Sequence, residues 1–99
     1  MEERHISPAL RGALKKSIDN FIRYPQKNKT LITEILKRQG IEPTLEAILS
    51  YHTGFLYGII TRQFSRVHER MPNTDERRTI TDIIKGRMRE MREALVDPR

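Results

Sequence analysis

Hydrophobic side chains recur at three- and four-residue spacing in four segments of the chain, and no segment alternates in the way a strand does. This periodicity predicts four amphipathic α-helices. The first helix is predicted to begin after Ser7 and to end near Tyr24, because the proline that follows disfavours a helical conformation in the residue before it. The second is predicted to run from about Asn28 to a stop at Gly40, since glycine readily adopts the left-handed conformation that ends a helix.

Two longer helices are predicted in the second part of the chain. The third runs from about Thr44 to Arg70, and the fourth opens with an Asn73–Glu76 cap and continues close to the C-terminus. At 1.5 Å per residue, each of these helices is about 35–40 Å long, roughly the length of the first two laid end to end. The sequence therefore predicts an all-α fold of four helices, in which two short N-terminal helices pack on a long C-terminal helical hairpin.

The composition favours one small domain outside membranes. The 99 residues fit a single helical domain, residues 1–99, whose ends at 1–6 and 97–99 we expect to fray. There is no cysteine to form a disulfide, and no run approaches the roughly 20 apolar residues that a membrane span needs. The polar N-terminus is unlike a secretory signal. We therefore expect a soluble, cytoplasmic protein without a membrane partner.

The third helix carries the most unusual pattern. Residues 47–61 contain no charged side chain, although 32% of the whole chain is charged. On a helical wheel, one side of this segment is a broad apolar stripe. Glycine inside a helix costs about 1 kcal/mol relative to alanine, so two glycines on the opposite side predict the close approach of another backbone. We therefore expect the third helix to be buried on both faces, the second face being a ridge of small side chains: Ala47, Ser50, Gly54, Gly58, Thr61 and Ser65.

Two arrangements would cover this ridge. One is a symmetric homodimer in which the third helix crosses its twin, and the other is a cover by the first or second helix of the same chain. The homodimer is favoured because only short helices remain within the chain to do the covering. The sequence thus predicts a non-enzymatic binding or assembly module whose partner is its own copy and possibly another protein.

The net charge of +6 makes nucleic acid a second candidate partner. Two strips of cations are candidate phosphate contacts, because arginine binds phosphate with two parallel hydrogen bonds. Acidic side chains interleaved on the fourth helix favour a merely solvated face for the second strip. A helix-turn-helix is disfavoured, because the would-be recognition helix is long, buried and acidic at its start. The strips comprise Arg62, Arg66 and Arg70 on the third helix, and Arg78, Lys85, Arg89 and Arg92 on the fourth.

Candidate chemistry is sparse. His52 falls within the apolar stripe of the third helix, where a buried imidazole hydrogen-bonded to a neighbour is favoured over a phosphate-accepting histidine. Arg87 falls within the apolar stripe of the fourth helix and needs a partner charge, for which Glu46 is a candidate. No nucleophile lies beside a base, and no histidines or carboxylates show metal-ligand spacing. We therefore predict no catalytic residue, metal site, cofactor or small-molecule substrate.

Overall fold

A computed structural model of the chain describes residues 6–96. This part is built from helices, without a strand, in the order α1 (Pro8–Arg23), α2 (Pro25–Arg38), α3 (Leu45–His68), α4 (Thr74–Gly86) and α5 (Met88–Val96). Helices α4 and α5 are separated by one residue and together form a bent fourth helix. Helix α3 contacts each of the others, and α5 also contacts α1 and α2. The predicted all-α arrangement, with two N-terminal helices packed on a C-terminal hairpin, is confirmed.

Most helix ends follow from local capping groups. The Leu10 N–H donates to the Ser7 side-chain oxygen (3.2 Å), and the Ala47 N–H donates to that of Thr44 (3.1 Å). Gly40 has a φ of +77°, which confirms the predicted left-handed stop after α2. Helix α2 itself begins at Pro25, not near Asn28. A proline lacks the N–H that the first turn leaves unpaired, so it can start this helix directly after α1 ends.

A buried carboxylate fixes the turn between α3 and α4. Glu76 is only 7% exposed and accepts two hydrogen bonds from the Arg70 guanidinium, both at 2.9 Å. It also accepts the Asn73 N–H (2.8 Å), while the Glu76 N–H donates to the Asn73 side chain (2.8 Å), which completes the predicted capping box. The Arg70 hydrogen bonds lower the pKa of Glu76. The Arg70 guanidinium carbon lies 4.9 Å from the centre of the Phe64 ring, so the turn is tied to the core.

The fourth helix was predicted to be continuous, and it bends at Arg87 instead. Arg87 follows a glycine and leaves helical geometry at φ −110°, ψ 5°. Its guanidinium donates to Asp19 on α1 (2.8 Å) and to Glu90. The expected partner, Glu46, pairs with Arg92 instead. Arg87 is thus half-buried and paired, and its bend lets α5 pack against the N-terminal helices.

The core is formed by one stripe from each helix. Its members include Leu14, Ile18, Phe21, Leu36, Leu56, Ile60, Phe64, Ile80, Met91 and Leu95. Three side chains predicted for apolar stripes are largely exposed instead: Leu31, Phe55 and Val67. Each lies at the edge of its stripe. Ile6, which lies within the range expected to fray, is buried. The other residues for which fraying was predicted, 1–5 and 97–99, lie outside the described part of the chain.

Candidate functional site

Helix α3 is packed on one side only within residues 6–96. Gly54 and Gly58 are exposed, and a Cβ added at either would meet no atom within 4 Å. The prediction that both faces are buried is therefore wrong for a single chain. The physical reason is that the other four helices all pack on the side whose residues are buried: Ile48, Leu49, His52, Leu56, Ile60 and Phe64.

The opposite side of α3 is uncharged although it faces solvent. Besides the two glycines it carries Tyr51, 38% exposed, and Phe55, 53% exposed. Nothing in the described chain lies within 4 Å of a Cβ built at Gly54 or Gly58, so the described helices leave the middle of the ridge uncovered. We call this surface the open face; it consists of Ser50, Tyr51, Gly54, Phe55, Gly58 and Thr61, whereas Ala47 at its N-terminal end is partly buried against the core.

Exposed apolar side chains also lie beyond the C-terminal end of the open face. The predicted small-residue ridge continues to Ser65, whose hydroxyl lies 3.2 Å from the Met71 sulfur. Met71 is itself largely exposed. The sequence-based ridge had included the small residues and missed the aromatic ones. By helical periodicity Phe55 belongs to the apolar stripe and Tyr51 flanks it, so neither ring was expected beside the small side chains.

The two ends of the open face carry opposite charge. Glu42 and Glu46 are exposed at the N-terminal end of α3, and Arg62 and Arg66 are exposed at its C-terminal end. The hydrogen bond from Arg92 lowers the pKa of Glu46, so this carboxylate is ionised near neutral pH. Arg62 and Arg66 form no ion pair with any described residue. The N-terminal end therefore presents two carboxylates, one of them paired with Arg92, and the C-terminal end presents two cations without an ion pair to a described residue.

His52 lies on the packed side of α3, next to this face. It is 6% exposed, its ring centre is 3.8 Å from that of Phe21, and the Phe55 ring lies 6.2 Å away. Its predicted burial is confirmed, but its Nε2 atom has no hydrogen-bond partner among the described residues. Burial lowers the pKa of His52 to about 4. Near neutral pH the side chain is thus an uncharged ring that helps pack α3 against α1.

The predicted cation strips are interrupted by ion pairs. Arg70 is bound to Glu76, Arg92 is bound to Glu46, and an Arg78 nitrogen lies 3.5 Å from an Asp75 oxygen. Each of these three cations is therefore already paired with a carboxylate of the same chain. Four of the seven predicted contacts remain without an ion pair in the described part of the chain: Arg62, Arg66, Lys85 and Arg89.

A groove of about 640 Å³ lies open to solvent between the α1–α2 junction and α5, with a mixed lining of apolar and charged side chains that includes Ile22, Arg23, Pro25, Glu93 and Val96. No three potential metal-ligating side chains cluster within residues 6–96. None of the described helices has the length and apolar character needed to cross a bilayer. Compared with known proteins, the chain matches no family model, no curated protein and no solved structure.

Proposed function

We propose that the chain is a non-enzymatic assembly module that forms a homodimer through the open face of α3. The observation that carries this proposal is an exposed helix side, without a charge over residues 47–61, that presents two half-exposed aromatic rings. A helix side that stays in water usually bears Lys, Glu or Arg. Covering the open face would gain about 25 cal/mol for each Å² of apolar surface removed from water. A cytoplasmic location, suggested by the absence of cysteine, belongs to the same proposal.

Charge favours a second copy of the chain as the partner. Gly54 lies midway in sequence between Glu46 and Arg62. A two-fold axis near Gly54 that pairs the helices antiparallel sets the acidic end of each open face against the basic end of the other. The same arrangement places the two helix dipoles antiparallel, which is electrostatically favourable. A parallel pair would instead place like charges together at both ends, so we propose the antiparallel pair.

The glycines support close contact without being the reason for it. Because nothing in the described chain presses on Gly54 and Gly58, they do not by themselves argue for a partner. In a homodimer, their missing Cβ atoms would let two α3 backbones approach more closely than the usual 8–10 Å between helix axes. The exposed rings of Tyr51 and Phe55 would then flank the crossing and bury the most apolar surface.

Sedimentation velocity on the full chain tests the assembly. We expect a dimer at micromolar concentration, and a shift to monomer for Phe55→Glu and Gly54→Leu with unchanged helical circular dichroism. Lys15→Ala, an exposed change on α1, is the control and should leave the dimer intact. A wild-type chain that sediments as a monomer at high micromolar concentration overturns the proposal.

The orientation has a separate test, because the chain has no cysteine of its own. Ala47 and Thr61 lie seven residues on either side of Gly54. In an antiparallel pair the two copies of Ala47 are roughly 20 Å apart, far beyond the ~7 Å that a disulfide can bridge. Mild oxidation of Ala47→Cys mixed with Thr61→Cys should therefore yield a cross-linked dimer, and either variant alone should not. Efficient cross-linking of each variant with itself would indicate a parallel dimer and overturn the antiparallel arrangement alone.

A further inference from the structure

The excess positive charge is concentrated on the two N-terminal helices. Residues 8–38 contain eight cationic and two acidic side chains, which gives this segment a net charge of +6. Residues 39–96 hold nine cations and eight acids, a net charge of +1. The eight cations are Arg11, Lys15, Lys16, Arg23, Lys27, Lys29, Lys37 and Arg38.

These eight cations are available for a ligand. None forms an ion pair with a described residue, and none is fully buried. Of the two acidic side chains, Asp19 is already bound by Arg87 from the far end of the chain. Within residues 6–96, Glu34 has no cationic partner, so its carboxylate is the one left to offset the positive charge of α1 and α2. By contrast, most of the cations on α4 and α5 are interleaved with acids. Helices α1 and α2 therefore carry most of the net positive charge of the described chain.

We propose that the exposed side of α1 and α2 binds nucleic acid through its phosphates. This surface is separate from the open face of α3, because α1 and α2 pack on the other side of that helix. Lys and Arg that neutralise phosphates release condensed counterions, which supplies most of the free energy of sequence-independent binding. The proposal does not depend on the homodimer.

Nucleic acid fits this surface better than an anionic membrane does. A helix that lies in a membrane interface inserts an apolar side. The outward residues of α1 are polar or small, and on α2 the exposed Leu31 stands among the polar side chains of Lys27, Thr30 and Glu34. One exposed ring stands at the junction of the two helices: Tyr24, 49% exposed and next in sequence to Arg23. An exposed aromatic ring beside a cation can stack on an unpaired base. The surface thus offers phosphate contacts together with one stacking site.

Fluorescence anisotropy with a labelled duplex and a single strand, each of about 20 nucleotides, over a salt series tests the proposal. We expect micromolar binding near 100 mM salt that weakens steeply as salt is raised. Lys16→Gln combined with Arg23→Gln should weaken binding by about 10-fold and reduce the salt slope by about 2. Tyr24→Ala should weaken binding of the single strand more than binding of the duplex.

The matched control removes the same charge elsewhere. Lys85→Gln combined with Arg89→Gln removes two exposed cations from α4 and α5, which have no ion pair with a described residue and lie away from the open face of α3, and should alter binding by less than about 2-fold. If that pair weakens binding as much as the α1 pair, the α1–α2 surface is not the site. Absence of binding at 100 mM salt, or binding to phosphatidylserine vesicles in place of nucleic acid, also overturns the proposal. Circular dichroism of each variant confirms that it is folded.

Discussion

The two sides of α3 differ in what covers them, although neither carries a charge through the middle of the helix. On one side Leu56 lies within the core and is 1% exposed, and on the other its neighbour Phe55 is 53% exposed. The packed side meets four other helices, whereas nothing described in the chain reaches the open face. The lack of charge on a helix side therefore identifies a surface suited to contact, without revealing whether the contact lies in the same molecule.

Adjacent alanine substitutions on the two sides give the largest expected contrast. Leu56→Ala leaves a cavity in the core and should lower the free energy of unfolding by roughly 2–5 kcal/mol. Phe55→Ala removes a largely exposed ring and should cost less than about 0.5 kcal/mol in the monomer. Urea denaturation at low micromolar concentration measures both. Equal losses for the two variants would contradict the one-sided packing of α3.

The buried histidine on the packed side makes that packing sensitive to acid. The pKa of His52 is about 4 in the folded chain against an ordinary 6.5, so the unfolded chain takes up the proton first as pH falls. The stability that the neutral His52 side chain contributes is fully present above pH 6.5. Between pH 6.5 and pH 4 the free energy of unfolding falls by roughly 2–3 kcal/mol. Denaturation at pH 7 and at pH 4.5 should show most of this loss.

His52→Leu is the control for that experiment, because leucine does not titrate. Its stability should stay nearly constant between pH 7 and pH 4.5. The Glu76 carboxylate, whose pKa is lowered by Arg70, contributes stability above its ordinary value of 4.5 and loses it only at lower pH. The two effects therefore occupy different pH ranges. A wild-type chain that is equally stable at both pH values would rule out a neutral, buried His52.

The two ends of α3 extend the comparison to charged groups. Glu76 is buried at the turn after α3 and accepts hydrogen bonds from Arg70 and Asn73, so Glu76→Gln should cost about 1–2 kcal/mol. Glu46 is exposed and, within residues 6–96, pairs with Arg92 alone, so Glu46→Gln should leave the thermal midpoint almost unchanged. Differential scanning calorimetry of the two variants distinguishes them. A larger shift for Glu46→Gln would contradict this assignment.

A substitution at the middle of the open face has an expected effect of the opposite sign. A Cβ at Gly54 would meet no atom within 4 Å, so Gly54→Ala should stabilise the monomer by about 0.5–1 kcal/mol through helix propensity. The same change adds a methyl group at the proposed crossing of two α3 helices and should weaken the dimer. Unfolding at low concentration and sedimentation at high concentration measure the two effects separately. Destabilisation of the monomer would show that Gly54 is packed after all.

Features with a local cause could be predicted from the sequence. The caps at Ser7, Thr44 and Asn73, and the stop at Gly40, depend on residues within one helical turn, and all of them are present in the structure. The four-segment pattern predicted the all-α architecture for the same reason, since periodicity reports which residues of each helix can share a stripe. Burial of His52 also followed from its place in that stripe.

Features that depend on distant residues could not be predicted. Periodicity shows that α3 has two uncharged sides, but only the positions of the other helices decide which is covered. Likewise, nothing near Arg87 in sequence indicates that its partner is Asp19, 68 residues away. The bend at Arg87 follows from that distant contact together with the preceding glycine.

The bend before α5 has a consequence for how the chain reaches its folded state. Helix α5 has nine residues, too few to persist in water by itself, and it packs against α1, α2 and α3. During synthesis, α1 and α2 emerge first, yet their inward sides stay partly uncovered until residues 88–96 have been made. Closure of the core must therefore wait for the ribosome to complete that segment, and any factor that shields exposed apolar side chains would act on the chain before then.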